Sequence, residues 1–76
     1  MSKDIKNLEK MLEIYAIASR KEKDSHDFYA DAAEEASSKP EKETFLELAK
    51  FEMEHFKLMQ EKYDATLKKI EELKKG

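Results

Sequence analysis

The chain has 76 residues, with no cysteine, no tryptophan, one proline (Pro40) and one glycine (Gly76). Without cysteine there can be no disulfide, no zinc–thiolate site, no iron–sulfur cluster and no thiol nucleophile. Long apolar runs are missing too, so nothing approaches a membrane span, and the opening Met1-Ser2-Lys3-Asp4 lacks the apolar core of a signal peptide. Charge of one sign is also lacking. Charged residues make up 43% of the chain yet the net charge is only −3, without the one-sided basic footprint of a nucleic-acid binder. The expectation is one small cytoplasmic domain spanning 1–76, with neither nucleic acid nor membrane as partner.

What remains is almost entirely Ala, Leu, Glu, Lys and other good helix formers. The pattern predicts an all-α fold, an antiparallel hairpin with helix 1 over about 4–36, a turn at 37–39 and helix 2 over about 40–74. Ser2 or Asp4 can cap the first helix. Leu8, Met11, Tyr15, Ala18, Ser25, Tyr29, Ala32 and Ala36 recur along it at steps of three and four, with Glu22 at their centre. Ala30, Ala32, Ala33 and Ala36 permit close helix–helix approach. Ser38 and Glu41 form an S-x-x-E capping box, and Pro40 suits a first helical turn. On helix 2 the inward stripe runs Phe45, Leu48, Ala49, Phe56, Met59, Tyr63, Leu67 and Ile70.

Two polar residues interrupt that second stripe. Glu52 and His55 are three apart, so both leave the same face one turn apart, among phenylalanines. Glu22 lies sixteen residues before Ser38 and Glu52 fourteen after it, which puts them roughly 24 Å and 21 Å from the bend, at nearly one height. Two helices cannot enclose a core, and a second copy packed face to face would complete a four-helix bundle. That twofold dimer would gather Glu22, Glu52 and His55 of both chains in one layer. Four buried carboxylates must either take up protons or be neutralised by cations. Two Fe²⁺ ions balance four negative charges, and carboxylate with imidazole suits iron or manganese. Bridging glutamates can hold two metals about 3.5–4 Å apart.

Other readings compete at each position. Glu22 could pair with a lysine at the bundle edge, although Lys50 and Lys57 point away from the Glu52 face. His55 could be a surface histidine or one bonded to Glu52. His26, one turn after Glu22, reads as a solvated or bundle-edge histidine, with a supporting role beside the metal as the minor option. Tyr29 reads as core packing that also hydrogen-bonds a ligand carboxylate. Glu54 reads as solvated, and Met53 and Met59 as packing. Ile17, Phe51 and Leu58 lie off the ligand face and suggest assembly beyond a dimer.

Glu22 with Phe28-Tyr29 and Ala32-Ala33, then Phe45, Leu48-Ala49 and Glu52-Met53-Glu54-His55, resembles the ferritin-like superfamily at its rubrerythrin end. The resemblance spans residues 12–63. A single hairpin that dimerises to complete its site is similar to the half-ferritins, or encapsulated ferritins. The resemblance implies Glu22, Glu52 and His55 as iron ligands, two iron ions per dimer, and Phe28-Tyr29 as the aromatic pair beside them. It further implies a ferroxidase that oxidises Fe(II) with O₂ for iron storage or detoxification, as a homodimer or higher oligomer inside an encapsulin-type shell or nanocompartment. In two respects the sequence departs from that pattern: Lys21 stands where an acid usually precedes the first ligand, and no further helix or shell-targeting tail follows before Gly76. Two other functions compete, a metal-free oligomerisation or partner-binding module and a rubrerythrin-like peroxide-reducing diiron protein. The missing rubredoxin cysteines weigh against the latter.

Overall fold

A computed structural model describes residues 2–75, with side chains from Lys3 onward. Met1, named above in the chain start, and Gly76, the one glycine, lie outside those residues. Two helices account for nearly all of it, α1 (Ser2–Glu35) and α2 (Lys39–Lys75), joined by residues 36–38. They pack as an antiparallel hairpin 58 Å long and 13 × 11 Å in cross-section. The length is that of one 37-residue helix, about 55 Å at 1.5 Å per residue. The radius of gyration is 17.2 Å, against about 11 Å for a compact domain of this length. No helix among the described residues is long and apolar enough to cross a membrane.

The boundaries differ from the sequence expectation by one or two residues, for local reasons. Helix α1 begins at Ser2, so Asp4 sits within the first turn, where its charge complements the helix dipole. Its last turn has no basic residue, and α1 stops one residue short of Ala36. The bend is made without any positive-φ residue among those described. Ser38 is the N-cap of α2: its carbonyl accepts from the Lys42 N–H at 3.0 Å, and its Oγ accepts from the Glu41 N–H at 3.3 Å. Lys39 therefore takes the first helical position and Pro40 the second, where a missing N–H costs nothing. The Ser38 hydroxyl also donates to Glu41 Oε1 at 2.8 Å, and Ser37 Oγ donates to the same oxygen at 3.4 Å.

Burial shows how little the hairpin encloses. Among the described residues only Ala33 (1% exposed), Ala49 (5%) and Ile70 (4%) form an apolar core, joined by Ser19 (4%). The rest of both stripes is half-buried: Leu8, Met11, Tyr15, Ala18, Ser25, Tyr29 and Ala32 on α1, Ala36 in the connection, and Phe45, Leu48, Phe56, Met59 and Tyr63 on α2. Leu67 is a correction. It is exposed, and Thr66 takes the inward place, so the stripe runs Tyr63, Thr66, Ile70, Leu73. The steps of three, four and three follow the helix better than the four-residue step to Leu67. The Thr66 hydroxyl is satisfied by the Lys62 carbonyl at 2.7 Å.

Candidate metal centre

Midway along the hairpin, Glu22 projects from α1 towards Glu52 and His55 on α2. One ligand atom from each of the three lies within 4.8 Å of the other two. Because Glu52 and His55 are a single turn apart on one helix, the third ligand has to come from across the interface. The short bend sets the level at which it arrives.

The electrostatics of this group are unresolved within one chain. Glu22 Oε2 is buried and accepts no hydrogen bond. His55 Nδ1 is 3.4 Å from it, close enough for an ion pair but without hydrogen-bond geometry. Sharing a proton with Glu22 pushes the Glu52 carboxyl above the ordinary glutamate value of 4.5. Loss of water and the Glu22 charge push the same way, and His55 opposes them. Two carboxylates and an imidazole thus meet where one oxygen has no donor and one acid resists ionisation. A divalent cation satisfies both conditions, since it supplies the missing partner and favours the charged carboxylates. Two oxygen donors and one nitrogen donor suit iron or manganese.

The exposures are unequal. The Glu22 side chain is 27% exposed and that of His55 59%. His55 thus lies on the open side of the hairpin. Sequence reading set Phe51 and Leu58 off the ligand face, but Phe51 lies four residues before His55 and Leu58 three after, so both instead flank it on the open side, and both are exposed.

The remaining candidates lie apart from the group. His26 turns to its neighbour in sequence, with Nδ1 3.0 Å from Asp27 Oδ1. That contact and Lys23, at 3.4 Å, hold the Asp27 carboxyl below its usual value. Tyr29 meets Phe28 edge-on, the rings 5.5 Å apart at 71°, and among the described residues its hydroxyl bonds neither Glu22 nor Glu52. Glu54, Lys50 and Lys57 are exposed, and Met53 and Met59 are half-buried. Lys21 lines a shallow groove on the outer side of α1 with Ala16, Ile17, Arg20 and Asp24, away from Glu22.

Sequence reading missed the contact between Ser19 and Gln60, where the Gln60 amide donates to the Ser19 hydroxyl at 3.0 Å. The signal was present as a heptad, Leu12, Ser19, His26 and Ala33, beside the Glu22 stripe. All four are buried or half-buried. Compared with protein-family models, curated proteins and solved structures, the chain finds no match.

Proposed function

We propose that this hairpin is a ferritin-like ferroxidase, which pairs with a second copy about a twofold axis to form a four-helix bundle around two metal ions. The observation that carries the reading is the buried Glu22 Oε2, which accepts no hydrogen bond, facing Glu52 and His55. A side chain selected only for packing would not leave a carboxylate oxygen desolvated and unbonded. The half-buried stripes and the exposed Phe51 and Leu58 support a partner on that side.

In this reading Glu22, Glu52 and His55 of each copy hold the metal. Glu22 and Glu52 supply the charge that favours Fe³⁺ over Fe²⁺, and the neutral His55 nitrogen completes the donor set. Iron is the substrate. It arrives as Fe²⁺, its electron passes to O₂, and it leaves as Fe³⁺. Manganese is the competing ion. The grooves found among the described residues lie on the outside of α1, so the hairpin would pass its product to a larger assembly or an encapsulin-type shell.

Metal content by mass spectrometry, paired with oligomer mass by light scattering, tests this. About two metal ions per dimer are expected, with O₂-dependent Fe²⁺ oxidation, and Glu52→Ala abolishes both. A protein that stays metal-free after iron loading, or a variant that oxidises iron as fast as the parent, overturns the reading. The 3.4 Å approach of His55 to Glu22 favours a second reading, a metal-free oligomerisation module held partly by that ion pair. Under it, iron loading changes neither stability nor oligomer mass.

A further inference from the structure

Apolar stripes that repeat at threes and fours fix which faces meet, but they specify axial position poorly. Slid by seven residues, such a stripe still matches itself. The bend restrains the slide nearby, yet Glu22 is roughly 24 Å away from it. Something beyond the site has to hold the far half of the hairpin.

Ser19 is the one buried polar residue among those described. Its hydroxyl takes the Gln60 amide at 3.0 Å, a side-chain hydrogen bond that joins α1 to α2 away from the Glu22 layer. Glu22 is one turn from Ser19 towards the bend, and His55 is five residues from Gln60 in the same direction. Ala33 and Ala49, both buried, close the interface on the bend side. Glu22, Glu52 and His55 therefore sit between a close-packed stretch and a single directional bond. Dispersion contacts tolerate small slides and rotations, whereas a hydrogen bond weakens steeply with angle and distance.

We infer that the Ser19–Gln60 hydrogen bond is a register lock that positions Glu22 against Glu52 and His55. Its effect on metal binding rests on the metal reading above, and its effect on register does not. The lock contributes little to stability. Gln60 is exposed, so its amide returns to water when the bond is lost, and the Ser19 hydroxyl can turn to a carbonyl one turn back. A single buried polar residue in a helix–helix seam can fix register while costing stability rather than adding to it.

The absence of native cysteine allows a clean distance measurement. Glu9→Cys and Lys68→Cys place spin labels at exposed sites on opposite helices, and dilution with unlabelled chain isolates the distance within one hairpin. Without metal, the labelled parent gives one narrow distance distribution. Ser19→Ala and Gln60→Leu broaden or split it, while the melting temperature moves by less than about 5 °C. With Co²⁺ as the probe, the same variants raise the dissociation constant about tenfold, and Ser19→Thr restores both the distance and the affinity. Unchanged distances in both variants overturn the lock. Broadened distances with unchanged Co²⁺ affinity overturn its positioning role. A parent that binds no Co²⁺ but shows the distance change upholds the lock and removes only the metal reading.

Discussion

The stretch near the bend and the layer around Glu22 solve the same packing problem in opposite ways. Between the bend and the site, Ala33 and, one turn short of Glu52, Ala49 bring the helices together with almost no surface left over, and small side chains leave nothing to hydrate. At Glu22 the interface holds two carboxylates and an imidazole, and much of that surface stays open. One region is complete within a single chain. The other leaves a carboxylate oxygen without a hydrogen-bond donor, and the difference marks the layer where the proposed partner and ion would act.

The largest effect comes from breaking the finished region. Ala33→Leu inserts a branched side chain where 1% of the residue is exposed and forces the helices apart. A loss of about 3 kcal/mol is expected in urea unfolding. The same enlargement at Ala18, half-buried on the open side, should cost under about 1 kcal/mol. Equal losses at the two sites would show that the regions do not differ in closure.

The next effect has the opposite sign. Glu22→Leu removes a desolvated carboxylate whose Oε2 has no donor. The exposed His55, left behind, is hydrated freely. The metal-free protein should gain about 1–2 kcal/mol by thermal unfolding, while losing all Fe²⁺ or Co²⁺ binding. Destabilisation of the metal-free form would mean that Glu22 already has an adequate partner in His55.

Much of this contrast was legible in the sequence because its determinants are local. Two breakers, an S-x-x-E box and steps of three and four define two helices and a bend. A bend of three residues leaves little freedom in the heights of Glu22 and Glu52. The legible part ends where the outcome depends on rotation of a few tens of degrees about a helix axis. Leu67 and Thr66 are neighbours in sequence, and which of them turns inward depends on how the pitch accumulates over the helix. Ser19 was passed over for a similar reason. It lies on a flank adjacent to the Glu22 stripe, and only the three-dimensional contact with Gln60, forty-one residues away, gives it a role. The inequality between Glu22 and His55 also comes from packing, because composition does not say which side of a hairpin stays open.

A smaller effect separates the bend itself from the site. Ser38 accepts the Glu41 N–H and donates to the Glu41 carboxylate, so Ser38→Ala removes both contacts at an exposed position. About 1 kcal/mol is lost, visible as fraying at the start of α2 in amide exchange. Metal affinity should be unaffected, since the site lies four turns further along α2. A parallel fall in affinity would show that the bend, rather than the packing beyond it, sets the height of Glu52.

The smallest effect is the dependence of stability on pH, and its sign distinguishes the open layer with and without metal. The folded-state pKa of Glu52 lies above its ordinary value of 4.5, first through the proton shared with Glu22, then through desolvation and the Glu22 charge. A raised value means that the folded state holds this proton more tightly than the unfolded chain does. Its contribution to stability is fully present below 4.5 and is lost as pH rises through the raised value. The metal-free protein should therefore lose stability over that interval, by less than about 1 kcal/mol because the layer is half open to solvent. Glu22→Gln removes the Glu22 charge and should flatten the slope. Saturating Co²⁺ should reverse it, since ligation requires both carboxylates ionised and the imidazole neutral, so that binding releases protons and strengthens with pH. Urea midpoints between pH 4 and 7, with and without Co²⁺, measure this. Parallel slopes in the two series would mean that the ion, if bound at all, sits away from Glu52.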